Sequence, residues 1–196
     1  MLLIYRILIN FIFFLSPIII LIRLIKKKED LKRFKEKIGF FSKKKITGKL
    51  IWFHGASVGE ILSIIPLIKN YEKNKLIDQI LVTSSTLSSA KIISKFKFKK
   101  TVHQFYPLDH FFFISNFLNH WKPNLALFIE SEIWPCMFKK LHQKKISLIL
   151  LNARITKKTF LRWQMFKNFS QELFDKITIA FPQNLETNYF LKKLKA

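Results

Sequence analysis

From residue 50 onward the chain alternates six times between a short apolar run and a helix-length pattern. The runs fall at 50–54, 80–83, 102–105, 125–129, 147–151 and 177–181, and the helical patterns near 58–72, 86–97, 109–120, 133–144, 157–173 and 184–194. Segments of these lengths in strict alternation build β-α-β units with right-handed crossovers on a mostly parallel sheet. The runs are almost continuously apolar, as strands covered on both faces must be. The expected fold class is α/β, a Rossmann-like doubly wound parallel sheet over 48–196.

In such a sheet, ligands bind beyond the carboxyl ends of the strands, near the point where strand order reverses. The polar residues of this chain gather there: His54-Gly55-Ala56-Ser57, Thr83-Ser84-Ser85-Thr86, Tyr106-Pro107-Leu108-Asp109, Glu130-Ser131-Glu132 and Asn152-Ala153-Arg154. The five clusters are expected to converge on one rim. The first leads into Val58-Gly59-Glu60 and holds, with Gly59, two of only four glycines, which places Gly55 and Gly59 where the backbone has special needs.

Glu60 has two readings. A carboxylate at a helix mouth facing a cleft can serve as a general base. Ser57-Val58-Gly59-Glu60 also fits the capping box, in which Ser57 caps the helix and Glu60 reaches back. Glu130 and Glu132, two apart in extended chain, point the same way and can enter one cleft, or can be solvated loop acids. His54 reads equally as a site residue or a hydrogen-bonded strand-end histidine. Arg154, with Lys157, Lys158 and Arg162, makes a basic patch that can hold phosphate or simply face solvent. Cys136 sits in an apolar helical pattern and reads as buried. No His/Cys cluster has metal-ligand spacing, and no nucleophile elbow, P-loop or G-x-G-x-x-G fingerprint occurs, so neither metal nor cofactor is expected.

The formal charge is +23. Such a surplus suits nucleic acid or an anionic membrane surface. Only 5 of the 35 cations are Arg, the residue sequence-specific nucleic-acid readers favour, and a Lys-, Ile- and Phe-rich composition can itself carry the charge. At the N-terminus, residues 7–22 form an uncharged apolar run of 16 residues between Arg6 and Arg23. As a helix it reaches about 24 Å, short of a bilayer core unless the arginines snorkel. Lys26-Lys27-Lys28 and Lys32 to Lys37 follow. The expectation is a membrane-anchor helix over 1–25, spanning or in-plane, then a basic juxtamembrane segment over 26–47 that holds the remainder on the cytoplasmic face.

Trp52-x-His54-x-x-Ser57-x-Gly59-Glu60 resembles the signature of the 3-deoxy-D-manno-octulosonic acid (Kdo) transferases of lipopolysaccharide synthesis. The later segments match in order: Thr83-Ser84-Ser85-Thr86; His103-Gln104-x-Tyr106-Pro107-x-Asp109; Glu130-Ser131-Glu132-Ile133-Trp134-Pro135; Leu151-Asn152-Ala153-Arg154; and Gln183. Arg33-Phe34-x-Glu36-x-x-Gly39 matches as well. The chain departs from the family's pattern at Cys136, Leu87-Ser88 and Leu194-Lys195.

The resemblance implies the N-terminal, acceptor-binding half of a two-domain GT-B glycosyltransferase. It implies a lipid A precursor as acceptor, CMP-Kdo as donor, and a metal-independent, inverting transfer at the cytoplasmic face of the bacterial inner membrane. It puts the general base on Glu60, with His54, Ser57, Gly59, Ser84, Glu130, Glu132 and Arg154 around the acceptor or the cleft. It also implies that the donor-binding domain lies outside these 196 residues, so that the chain alone is incomplete and inactive. The rival expectations are another GT-B transferase acting on a lipid-linked acceptor, and a basic membrane- or nucleic-acid-binding module without catalysis.

Overall fold

The structure, a computed structural model, describes residues 2–196, with side-chain surroundings given from Tyr5 onward apart from residues 6–8, 10 and 12. Arg6, expected to flank the apolar run, therefore lies outside the described side chains.

Six strands form one sheet: β1 (Leu50–His54), β2 (Gln79–Ser84), β3 (Thr101–Phe105), β4 (Leu125–Ile129), β5 (Ser147–Ala153) and β6 (Ile179–Pro182). Their spatial order is β3-β2-β1-β4-β5-β6, and every neighbouring pair is parallel. Order reverses between β1 and β4, so the crevice for a ligand opens beyond His54 and Ile129. Side-chain alternation along β1 explains why both faces are dry. Leu50 and Trp52 enter one core cluster with Phe117, Trp121, Phe128 and Phe138. Ile51 and Phe53 enter the other with Ile61, Ile64, Ile68 and Val82.

The second cluster is covered by α2 (Val58–Lys73) and α3 (Leu87–Ser94). The first lies under α4 (Phe111–Trp121), α5 (Pro135–Gln143), α6 (Lys157–Gln164), α7 (Lys167–Phe174) and α8 (Leu185–Leu194). The doubly wound α/β expectation holds. One helix differs from it: the pattern over 157–173 is two helices, broken at Met165 and Phe166. The break lets Phe160 on one side and Leu173 and Phe174 on the other all reach the same core.

The first helix, α1, runs Leu2–Ile25 with Pro17 inside it. Proline cannot donate to the carbonyl four residues back, and the Ser16 hydroxyl donates to that Phe13 carbonyl instead, at 2.7 Å. Among the described residues, no helix is long and apolar enough to cross a membrane. The helix is instead docked on the domain. Tyr5 donates to Asp109 Oδ2 at 2.6 Å, and Phe13 stacks on His110 with ring centroids 4.7 Å apart. Its other side exposes Phe11, Phe14, Ile18, Leu21, Ile22 and Ile25.

The 26–47 segment is tied down as well. It contains a short 3-10 helix, Phe34–Ile38. Glu36, 2% exposed, accepts from Arg33 Nε at 2.8 Å and Nη2 at 3.0 Å, from the Phe105 amide at 2.8 Å, and from the Ser42 hydroxyl. A buried acid stands only when so partnered. Arg33 Nη2 also donates to the His103 carbonyl at 2.8 Å and meets His103 Nδ1 at 3.0 Å. Burial, with the nearby Arg33 charge, pushes the His103 pKa down to about 3, so the ring is neutral. Arg33 can only donate, so Nδ1 accepts and Nε2 carries the proton toward Ser84 Oγ, 2.9 Å away.

Candidate active site

The β1–α2 turn builds the sharpest part of the site. Ser57, extended at the N-cap, accepts from the Glu60 amide at 3.2 Å. Its hydroxyl donates to Glu60 Oε1 at 2.7 Å, and the Ala56 amide donates to Oε2 at 2.8 Å. The capping reading is therefore realised, with Glu60 reaching the amide before the N-cap residue. A carboxylate oxygen accepts more than one hydrogen bond, so the cap leaves lone pairs on both oxygens.

Gly55 is closely packed: an added Cβ would stand 3.1 Å from Glu60 Cβ, which would have to give way by a few tenths of an ångström. Gly59 is different, because nothing but Ser57 Oγ, at 4.0 Å, comes within reach of a Cβ there. The expectation of special backbone needs thus fails at Gly59. The left-handed glycines are Gly39 and Gly48, with φ of 90° and 116°. What Gly59 leaves is open surface over the first turn of α2.

His54, fully buried at the end of β1, carries a chain of polar contacts. Trp52 Nε1 donates to Thr83 Oγ1 at 2.9 Å, Thr83 Oγ1 lies 3.0 Å from His54 Nδ1, and His54 Nε2 lies 3.2 Å from Glu132 Oε2. Trp134 Nε1 donates to the same Glu132 oxygen at 2.9 Å. Burial works to raise the Glu132 pKa, but the hydrogen bond and charge of His54, with the Trp134 N–H, outweigh it and hold the carboxyl below its usual range. An ionised carboxylate only accepts, so His54 Nε2 carries its proton. Tyr106 stacks on His54 with centroids 3.9 Å apart and meets Trp134 at a tilt, centroids 5.1 Å apart.

Glu130 and Glu132 do not share a direction. Glu130 has φ of 56°, so the chain leaves the extended conformation on which a common facing depends. Glu132 turns to His54, while Glu130 lines a small pocket of about 150 Å³ with Ser131, Arg154 and Trp163. Arg154 is exposed, and its carbonyl accepts from Ser131 Oγ at 2.6 Å. Ser84 is buried against His103, whereas Ser57 and Gly59 are exposed. Cys136, the single cysteine of the chain, is buried. Among the described residues, no group of three His, Cys, Asp or Glu is placed to hold a metal ion.

Two residues near the site were named in the sequence only as members of a cluster, a motif or a basic run, with no role of their own. Asp109, 4% exposed, receives Tyr5 and the amides of Cys136 and Met137, both at 2.9 Å, and so caps α5. Burial raises its pKa to about 6, against the opposing pull of those three donors. Lys37 stood in the sequence as one of a run of basic residues. In the fold it bonds Glu29 Oε1 at 2.8 Å and the Ser85 carbonyl at 3.1 Å. Burial lowers its pKa although Glu29 pulls the other way. Arg23 pairs with the same Glu29 oxygen at 2.5 Å.

Comparison with known proteins bears on this arrangement directly. Residues 32–196 match the family described as 3-deoxy-D-manno-octulosonic-acid transferase (kdotransferase). The chain belongs to the Kdo transferase family. A 3-deoxy-D-manno-octulosonic acid transferase of Rickettsia bellii is 43% identical over 162 residues, which is 81% of this chain and 38% of that protein. A probable mitochondrial 3-deoxy-D-manno-octulosonic acid transferase of Arabidopsis thaliana is 38% identical over 141 residues, 72% of this chain and 32% of its own length. The chain thus spans less than two fifths of these relatives. Among solved structures, UDP-GlcNAc 2-epimerase from Neisseria meningitidis bound to UDP-GlcNAc superposes with a TM-score of 0.53. It is 14% identical and covers 76% of this chain and 44% of its own. At that identity the likeness concerns the fold alone. In the Kdo transferase frame, the turn carrying Glu60, the His54–Glu132 pair and the docked 26–47 segment all fall inside or at the margin of the matched region.

Proposed function

We propose that this chain is the acceptor-binding half of a Kdo transferase, in which Glu60 is the general base for transfer from CMP-Kdo to a lipid A precursor. The observation that carries the reading is the position of Glu60. Its carboxylate is held by Ser57 and Ala56 at the mouth of α2, directly after β1, the strand at which sheet order reverses. That is where a parallel sheet of this kind takes its ligand. In the reaction Glu60 removes the proton of the attacking sugar hydroxyl. The new bond forms from that oxygen to the anomeric carbon of Kdo as the bond to CMP breaks. No metal is assigned a role.

Glu132, held in place by the buried His54, meets the acceptor sugar from the β4 side. The outward apolar stripe of α1, with the lysines of 26–47, seats the protein in the plane of the cytoplasmic leaflet of the inner membrane. The donor is read by a second Rossmann-like half of the full-length protein. The test is Kdo transfer by the full-length protein. Glu60→Gln is expected to abolish it with the fold intact, and retained transfer removes the base assignment.

A further inference from the structure

Two cavities flank the inner side of α1. One, of about 310 Å³, opens beside the candidate site: Tyr106 and Trp134 form one wall, Ile19 and Leu108 another, and Lys37 and Glu29 stand at its edge. The other, of about 680 Å³, lies between Pro17 and Leu24 of α1, Ile38 of the 3-10 helix, and Phe112 and Phe113 of α4. Ser16 and Ile20 line both, so the two are neighbours along the helix.

Three features say what such a trough takes. Its walls are almost wholly apolar, yet it begins at residues that contact His54 and Glu132. The Tyr106 hydroxyl is buried without a hydrogen-bond partner among the described residues, an arrangement native interiors avoid unless something else supplies the partner. At the edge, Arg23 and Lys37 are joined to Glu29 by ion pairs, and Arg23, the more exposed of the two cations, can meet an anionic group there. An apolar chain with an oxygen near its start, attached to an anionic head, meets all three. The exposed apolar stripe on the other side of α1 lets the far end of the chain continue into a bilayer.

We propose that the trough beneath α1 is a subsite for one acyl chain of the phosphorylated glycolipid acceptor, with Tyr106 donating to an oxygen at the head of that chain. The proposal rests on the acceptor reading given above. On this view α1 is part of the substrate site as well as a membrane contact, and the sugar hydroxyl is placed at Glu60 partly by the chain held beside it.

The experiment uses the full-length protein in phospholipid nanodiscs, so that bulk lipid competes in excess. Two probes are titrated, a tetra-acylated lipid A precursor and the same glycan phosphate fully deacylated. The wild type is expected to bind the acylated probe at least tenfold more tightly. Ile20→Trp, which fills the trough where the two cavities meet, is expected to lose that preference and keep its affinity for the deacylated probe. Tyr106→Phe is expected to weaken only the acylated probe, several-fold. A readout that needs no filled cavity is quenching of Trp134 emission by a brominated acyl chain, absent in Trp134→Phe. If wild type binds both probes equally, or Ile20→Trp keeps the preference, the subsite is wrong and the acceptor reading stands. If wild type binds neither, both are wrong.

Discussion

The two roles of Glu60 can be separated by comparing two substitutions. Glu60→Ala removes both acceptors from the α2 cap. The Ala56 amide, half-buried, loses its partner, which costs about 1 kcal/mol at the lower end for an unsatisfied donor. The exposed Ser57 hydroxyl turns to water at little cost. Loss of the negative charge at a helix N-terminus adds about 0.3–1 kcal/mol. The sum is about 1.3–2 kcal/mol. Glu60→Gln behaves differently. Its oxygen can accept from the Ala56 amide and its NH2 can donate to Ser57 Oγ, so only the charge is lost, about 0.5 kcal/mol. Catalysis does not separate the two: an amide is no base, so both variants lose transfer by about 10²–10⁴-fold. Urea unfolding followed by circular dichroism gives the first quantity, and transfer to a lipid A precursor gives the second. The reasoning is refuted if Glu60→Gln is as unstable as Glu60→Ala, or if it transfers within about tenfold of wild type.

Other expectations concern pH, the docked segment and the membrane. Between 3.8 and about 6 the folded chain holds a proton on Asp109 that the unfolded chain has released, so this group adds stability as pH falls through that window. His103 acts in the opposite sense: between 6.5 and about 3 the unfolded chain binds a proton the folded one refuses, so its contribution is full above 6.5 and lost as pH falls. Each slope approaches about 1.4 kcal/mol per pH unit. Asp109→Asn should therefore steepen acid destabilisation and His103→Gln should relieve it, as read by urea unfolding at pH 4–7; superimposable profiles would contradict both assignments. Glu36→Gln leaves Arg33 without its carboxylate and should cost about 3 kcal/mol, with earlier trypsin cleavage at Lys35 and Lys37; unchanged cleavage would sink the idea that this pair holds the segment. Ile18→Glu with Ile22→Glu should weaken vesicle binding by at least about tenfold, the equivalent of one large apolar side chain left out of the bilayer, with the melting profile unchanged.

The strands were legible because a parallel strand buried on both faces is a nearly continuous apolar run, and each lies within two residues of its expected limits. The strand-end clusters were legible for the same reason, since polarity returns where burial stops. Readings that depended on local geometry fared less well. Glu130 and Glu132 are two apart, but one left-handed residue separates their directions. The break at Met165 comes from the need to bury Phe160 and Phe174 together, which periodicity within one helix does not report. The docking of α1 was hidden because a helix apolar all round looks alike whether one side meets lipid or protein. Its contacts, Tyr5 to Asp109 and Phe13 to His110, span about half the chain. Tyr106 left a weak signal, an aromatic with a hydroxyl directly after a strand end, but only the fold shows that its hydroxyl lacks a partner.

The Arg33–Glu36 pair has a consequence for solubility. β3 is the last strand on its side of the sheet. Its inward residues pair with β2, which leaves the His103 carbonyl and the Phe105 amide pointing outward. A seventh parallel strand would donate to the first and accept from the second through a single residue. Arg33 donates to that carbonyl and Glu36 accepts from that amide, each at 2.8 Å. Two side chains thus imitate one residue of a strand that is not there. An edge left open is a template for another chain, and here the place is already taken by an ion pair that cannot propagate the sheet.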